Sequence, residues 1–240
     1  MRVIKGLIKK MLKKVGRDSK IYNPTDEILL QNKNKWLKDL NIKTIIDVGA
    51  NEGGFASKIR QIFPDAMIYS FEPIEDCFNK LRVNFEHDKF FKAFNVACSN
   101  TKGSSAFNIN SNSGSSSMLK IGRTHLNAYP DAIEQKIIEI ETVKLDQFFN
   151  DIRLTEPVLL KIDVQGAEKK VLEGARELLK KIKIVFIELS FQSLYNGQPL
   201  AGEIVTYMYD NGFNFTGVEN VSQNINNGMF LQADAFFVAQ

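Results

Sequence analysis

Residues 45–54 read Ile-Ile-Asp-Val-Gly-Ala-Asn-Glu-Gly-Gly, a short apolar strand that reaches an acid and runs into a glycine-rich turn. A helical pattern follows, and a second apolar stretch, Met67–Phe71, ends in Glu72-Pro73. In open α/β sheets ligands bind beyond the carboxyl ends of the strands. A glycine turn with an acid about 20 residues further on holds the sugar of an adenosine-containing cofactor. The run therefore restricts the chain to a strand–turn–helix unit with one kind of crevice at its top.

The rest of the pattern fits that unit. Strands are expected at Thr44–Val48, Met67–Phe71, Lys92–Ala97, Val158–Asp163 and Ile184–Leu189, alternating with helices at 54–63, from 74, at 167–181 and from Pro199 to 211. An earlier helix is expected from Asn23-Pro24 to Leu40, with Trp36, Leu37 and Leu40 inward. Alternation of this kind implies a mainly parallel sheet with right-handed crossovers. The nearly all-apolar Val158–Asp163 reads as a strand buried on both faces. Phe213–Val218 and Ala235–Ala239 close the chain as two apolar segments around a polar stretch. Between Ser99 and Ser117 the composition turns to Ser, Asn and Gly, which reads as a solvated loop or polar hairpin.

The net charge of +3 conceals an asymmetry. Eight basic residues against Asp18 give residues 1–20 a net +7, which leaves −4 for the remainder. The basicity belongs to a tail, so the domain, residues 21–240, is not expected to bind nucleic acid. In the tail, Ile4, Leu7, Ile8, Met11, Leu12 and Val15 share one helical face and the lysines occupy the other. A basic amphipathic helix over 1–20 can lie on an anionic membrane surface, or pack on protein. No apolar run approaches the ~20 residues of a membrane span. Cys77 and Cys98 are the only cysteines and read as ordinary thiols, which fits a cytoplasmic protein with at most peripheral contact at the inner membrane face.

The turn itself discriminates between cofactors. Gly49-Ala50-Asn51-Glu52-Gly53 has Asn51 where a dinucleotide fingerprint places a glycine against pyrophosphate, and no basic side chain lies within Asp47–Phe55. S-adenosylmethionine carries no phosphate and presents an amine and a cationic sulfur. On this reading Asp47 orients the amine, the Gly49–Gly53 backbone lets the cofactor lie close, and Glu72 accepts hydrogen bonds from the ribose hydroxyls. A nicotinamide-dependent oxidoreductase is the rival enzyme class. A non-catalytic interaction module is the other alternative, and it predicts cofactor positions too degraded to bind.

Seven segments carry a resemblance. Asp47–Gly53, Phe71-Glu72-Pro73, Asn95-Val96-Ala97, Gly103, Ser116–Leu119, Val143-Lys144-Leu145-Asp146 and Leu160-Lys161-Ile162-Asp163-Val164-Gln165-Gly166-Ala167-Glu168 occur in the order found in FkbM-type methyltransferases, which the chain resembles from about Ile45 to Leu189. The usual acid at position 165 is here its amide, Gln165. The resemblance implies a Rossmann-like class I α/β fold: a seven-stranded, mainly parallel sheet with an antiparallel last strand and helices on both faces. It implies methyl transfer to a hydroxyl, on a sugar of a glycan or glycolipid or on a natural-product scaffold. The expected cofactor-binding residues are Asp47, Gly49, Ala50, Asn51, Gly53, Glu72, Pro73, Asn95, Ala97 and Asp163.

A sugar hydroxyl is a weak nucleophile and gains from a base that takes its proton during attack. Asp163, at the end of the strand beside the cofactor strand, is the first candidate, and Glu188 the second. His125 is a third if segment 118–130 folds over the site. Lys161, two residues before Asp163, should face the same side and can pair with it. Asp163 and Glu188 are also the oxygen ligands a divalent metal would use, but two acids on separate strands are a poor set, and no metal site is expected.

Overall fold

The computed structural model describes residues 34–240. The basic helix expected over 1–20, and most of the helix expected to start at Pro24, lie outside the described residues. The chain divides into a unit ending at Leu40 and a compact unit, Asn41–Gln240. In the first, helix α1 (Lys35–Asp39) buries Leu37, whereas Trp36 is exposed.

The second unit holds two sheets. The larger is built from β1 (Thr44–Val48), β2 (Met67–Phe71), β3 (Phe91–Phe94), β7 (Val158–Ile162), β8 (Ile182–Ser190), β9 (Phe213–Gln223) and β10 (Phe230–Ala239), in the order β3-β2-β1-β7-β8-β10-β9. Its pairings are parallel except those of β10, which runs antiparallel to both β8 and β9. This is the class I architecture expected from the resemblance. The chain leaves β1 toward β2 and later returns to β7 on the other side of β1. The switch point therefore lies between β1 and β7, where a ligand is expected.

Helices cover both faces of that sheet. On one, Ile46, Val48, Leu160, Ile162, Val185 and Ile187 pack with residues of α6 (Glu168–Glu173), α7 (Arg176–Leu179) and α8 (Ala201–Asp210). On the other, α2 (Gly54–Ile62) stacks Phe55 on Phe186 with ring centroids 5.7 Å apart. Between β2 and β3 stands α3 (Glu75–Asn84), and α5 (Leu145–Phe148) ends in an aromatic knot of Phe71, Phe94, Phe148 and Phe149.

Three local expectations change. The strand expected at Lys92–Ala97 splits: Phe91–Phe94 joins the large sheet, and β4 (Ala97–Cys98) joins a three-stranded sheet with β5 (Gly103–Asn110) and β6 (Glu134–Val143). Half of the Ser/Asn-rich stretch, expected as a solvated loop or a polar hairpin of its own, is instead strand β5, antiparallel to the distant β6. The helix expected over 167–181 breaks into α6 and α7 at Gly174. A Cβ there would stand 2.1 Å from the carbonyl oxygen of Ser99, so only glycine fits where the two helices meet. Among the described residues no helix is long and apolar enough to cross a membrane.

Candidate active site

The turn after β1 is held from beneath. Asp47 lies within β1, fully buried, directly opposite Lys161 in the parallel β1–β7 register. The Lys161 ammonium sits 3.2 Å from Asp47 Oδ1 and donates to the carbonyl oxygens of Gly49 at 2.7 Å and Val48 at 3.3 Å. Burial opposes the charge on Lys161, but Asp47 and then Asp163 outweigh it and hold the ammonium above the usual lysine range. Burial pushes the Asp47 carboxyl up, and Lys161 opposes that push. A buried carboxylate and ammonium thus neutralise each other and anchor the two carbonyls that start the turn.

Phe71 fixes the turn's amides, its carbonyl accepting from the backbone N–H of both Gly49 and Ala50. Gly49 has φ +77, and a Cβ there would lie 1.8 Å from the backbone oxygen of Asp163. Gly53 has φ +93, and its Cβ would strike Phe85 and Leu81. Both glycines are therefore required by the protein's own packing. Asn51, at φ +48, takes a left-handed conformation that asparagine tolerates.

Glu72 ends β2 with one oxygen accepting from Asn51 N–H and the other from Ile74 N–H, each at 2.8 Å. Burial raises its carboxyl to about 7, against those two amide donors. Glu168 behaves alike at the start of α6. It is buried, raised to about 7 by burial, and accepts from the N–H groups of Gly166 and Val164. Both folded-state values lie above the ordinary 4.5. Folding therefore favours the protonated carboxyls, and stability from these groups is full below about 4.5 and falls as pH rises toward 7. In urea titrations the unfolding free energy is expected to drop across that window, and Glu168→Gln should flatten the slope. An equal slope in both proteins would refute the assignment.

The cleft above these groups holds about 590 Å³ of space counted out to open solvent. Gly49, Asn51, Glu72, Pro73, Ala97 and Asp163 line it, with Phe71, Ile74, Phe107, Met118 and Gln165. A short 3-10 turn, Ser113–Ser115, roofs it, its Gly114 and Ser116 on the wall and Ser113 Oγ 3.4 Å from Asn51 Oδ1. No lysine or arginine is on the wall, and two carboxyls are. Such a lining suits a phosphate-free, cationic cofactor with an apolar base, and it repels pyrophosphate.

Several expected residues stand elsewhere. Asp47 is behind the turn and not on the wall, because its carboxylate is committed to Lys161; meeting the cofactor's amine is not open to it there. Ala50 and Gly53 shape the turn without lining the cleft. Asn95 donates its amide to the carbonyls of Glu72 and Pro73 and so braces the strand end. His125, on α4 (Arg123–Ala128), is buried, with its ring 5.2 Å from that of Tyr195 and Nδ1 without a hydrogen bond. Burial lowers its basicity. Segment 118–130 does fold toward the site, but His125 meets it only through Tyr195. Glu188 lies within β8 behind the wall and accepts from Gln165 Nε2 at 3.2 Å. Burial, then the charge of Asp163, pushes its carboxyl well above the usual range.

Asp163 is the one base candidate on the wall. Its backbone N–H donates to Val48, its Oδ1 accepts from Gln165 Nε2 at 2.7 Å, and its Oδ2 lies 3.7 Å from Lys161 Nζ. The sequence reading left Gln165 without a role, and Tyr195 unmentioned; only the family position of Gln165 pointed to the place. Among the described residues no group of three or more His, Cys, Asp or Glu side chains is arranged to hold a metal ion.

A methyltransferase FkbM domain model matches residues 47–215, well over half of the chain. The chain belongs to the FkbM methyltransferase family. This methyltransferase is 29% identical over 184 residues to the 2-O-methyltransferase NoeI of Sinorhizobium fredii (strain NBRC 101917 / NGR234), covering 74% of this chain and 76% of that one. Among solved structures it is similar to magnesium protoporphyrin IX methyltransferase (ChlM) from Synechocystis PCC 6803 with bound SAH, at 12% identity and TM-score 0.46, over 98% of this chain and 100% of that one. Precorrin-6y C5,15-methyltransferase from Geobacter metallireducens GS-15 is similar at 9% identity and TM-score 0.44, over 84% of each chain. The FkbM protein is an S-adenosylmethionine-dependent methyltransferase.

Proposed function

We propose that this FkbM methyltransferase methylates a hydroxyl of a sugar, in a glycan or glycolipid, with Asp163 as the general base. The observation that carries the reading is the position of Asp163. Its carboxylate is 40% exposed, on the cleft wall, and fixed at one oxygen while the other accepts no hydrogen bond. The relative's printed name, a 2-O-methyltransferase, supports a hydroxyl acceptor.

S-adenosylmethionine, when bound, supplies a methyl carbon on a cationic sulfur, already a strong electrophile. What the chain adds is alignment, exclusion of water and a place for the proton. Glu72 is on the cleft wall with lone pairs left beyond its two amide donors, and it would hold the ribose hydroxyls. The apolar side chains Ile74, Phe107 and Met118 offer a surface for the adenine. With the donor bound, Asp163 Oδ2 would take the proton of an acceptor hydroxyl. The serines of the roof offer hydroxyl partners to a polar acceptor.

The test is a screen of neutral mono- and oligosaccharides with a tritium-labelled methyl donor, read by product analysis. Label in a base-stable sugar ether is the expected result. Label only in amines, or in no sugar while S-adenosylhomocysteine binds, would overturn the hydroxyl reading. Calorimetry adds a check on donor contacts: Glu72→Ala is expected to weaken S-adenosylhomocysteine by about 10-fold or more, for the loss of charge-assisted hydrogen bonds.

A further inference from the structure

Gln165 follows β7 by three residues at φ +55, on the cleft wall, between the two strongest acid candidates. Its amide nitrogen has two hydrogens. One points to Asp163 Oδ1 at 2.7 Å and the other to Glu188 Oε2 at 3.2 Å. Its amide oxygen lies 2.9 Å from the Tyr195 hydroxyl, whose one hydrogen is shared with the Ser115 carbonyl at 3.0 Å. The backbone oxygen of the same residue accepts from Ser117 Oγ at 2.7 Å, which ties it to the roof. With the amide in this orientation its nitrogen faces the two carboxyls and its oxygen faces the Tyr195 hydroxyl.

We propose that Gln165 is a positioning residue of the methyl transfer: its neutral amide stands between Asp163 and Glu188, holds Asp163 Oδ1 and leaves Oδ2, 3.7 Å from Lys161 Nζ, as the oxygen that receives the acceptor's proton. The assignment rests on the reading of Asp163 as base. A carboxylate at position 165 would sit at hydrogen-bond distance from two others, and carboxyl groups that close cannot all ionise. They would share a proton, and Asp163 would hold it during part of the catalytic cycle. The amide avoids this by offering hydrogen to both. It also keeps the two acids apart although they follow Ile162 and Ile187, which are paired in the β7–β8 register.

The charged and titratable groups around the pair come from several elements. Lys161 faces Asp163 from β7, Glu168 from α6 and Asp47 from β1, while Asp234 faces Glu188 from β10. Tyr195 touches Gln165 itself, and His125 packs on Tyr195. Of these, Lys161 is the one cation, and it is already shared with Asp47. Gln165 is thus the donor that Glu188 depends on and the second partner of Asp163.

The experiment uses the full chain bound to S-adenosylhomocysteine and follows Asp and Glu side chains by carboxyl-carbon NMR titration, with assignments from Asp163→Asn and Glu188→Gln. In Gln165→Glu the Asp163 midpoint is expected to rise by about one pH unit or more. In Gln165→Met, which keeps the volume and removes the donor, it is expected to rise by a smaller amount, because a hydrogen bond to the charged form is lost. An Asp163 midpoint unchanged in either folded variant would overturn the proposal. With a sugar that accepts methyl, the acidic limb of kcat in Gln165→Glu should move by the same interval while KM for the donor stays within about threefold, since only a transition-state contact is altered. A shifted midpoint together with no sugar methylated would leave the Gln165 assignment standing and defeat the acceptor class instead.

Discussion

Lys161→Met is expected to destabilise the protein by about 3–5 kcal/mol, the cost of stranding a buried carboxylate without its counter-ion. Lys161 is 4% exposed and Asp47 0% exposed, so water cannot take over the solvation that either one loses. Asp47 would have to be buried charged or take up a proton, and the carbonyls of Val48 and Gly49 would lose their donor as well. The glycine turn rests on those carbonyls, so donor affinity should fall together with stability. The double variant Asp47→Asn/Lys161→Met removes both charges and is expected to recover a large part of the loss, because the two residues are coupled. Chemical denaturation of the wild type, both single variants and the double variant measures the coupling. A Lys161→Met protein within about 0.5 kcal/mol of wild type would show that the pair is not what holds the turn.

Asp163→Asn is expected to lower kcat by about 10²–10⁴, the usual contribution of a positioned base. The asparagine keeps the shape of the carboxyl and can still accept from Gln165, so S-adenosylhomocysteine should bind nearly as well as to wild type. Glu188→Gln should cost less, because Glu188 is behind the wall and reaches Asp163 through Gln165. His125→Phe should cost least, since its ring packs on Tyr129 and Tyr195 and does not line the cleft. Turnover in Asp163→Asn equal to wild type would move the base elsewhere. The ranking of the three variants then says whether Glu188 or His125 takes its place.

Much of this site was legible in the sequence because its signals are local. An apolar run, an acid and a glycine turn identified β1 and α2, and the same grammar identified β2 with Glu72 and β7 with Asp163. Parallel strands buried on both faces announce themselves by being apolar throughout, as Val158–Ile162 is. The resemblance supplied the seven-stranded, mainly parallel sheet and the reversed last strand. What stayed hidden depends on register or on distant contacts. Nothing near Asp47 in the chain says that Lys161 will stand opposite it, yet that pairing is why Asp47 does not reach the cleft. Strand β5, Gly-Ser-Ser-Ala-Phe-Asn-Ile-Asn, has three apolar side chains in eight and forms because β6 pairs with it. The need for glycine at 174, where α6 gives way to α7, comes from the carbonyl of Ser99, more than seventy positions away. Tyr195 carries no motif at all, and only its hydroxyl contact to Gln165 assigns it to the site.

The bare face of Gly49 has a consequence for how such an enzyme can change its substrate. With no side chain at that residue, the turn proposed to seat the methyl donor lies directly against the backbone of Asp163, the proposed base. The two halves of the chemistry therefore behave as one solid part, and a mutation that tilts one tilts the other. The roof at Ser113–Ser115 and the wall residue Met118 belong to different segments, joined to that part by hydrogen bonds from Ser117 and Tyr195. Variation can be spent there. A new acceptor can be fitted by rewriting the roof, while the distance between methyl and base is inherited unchanged.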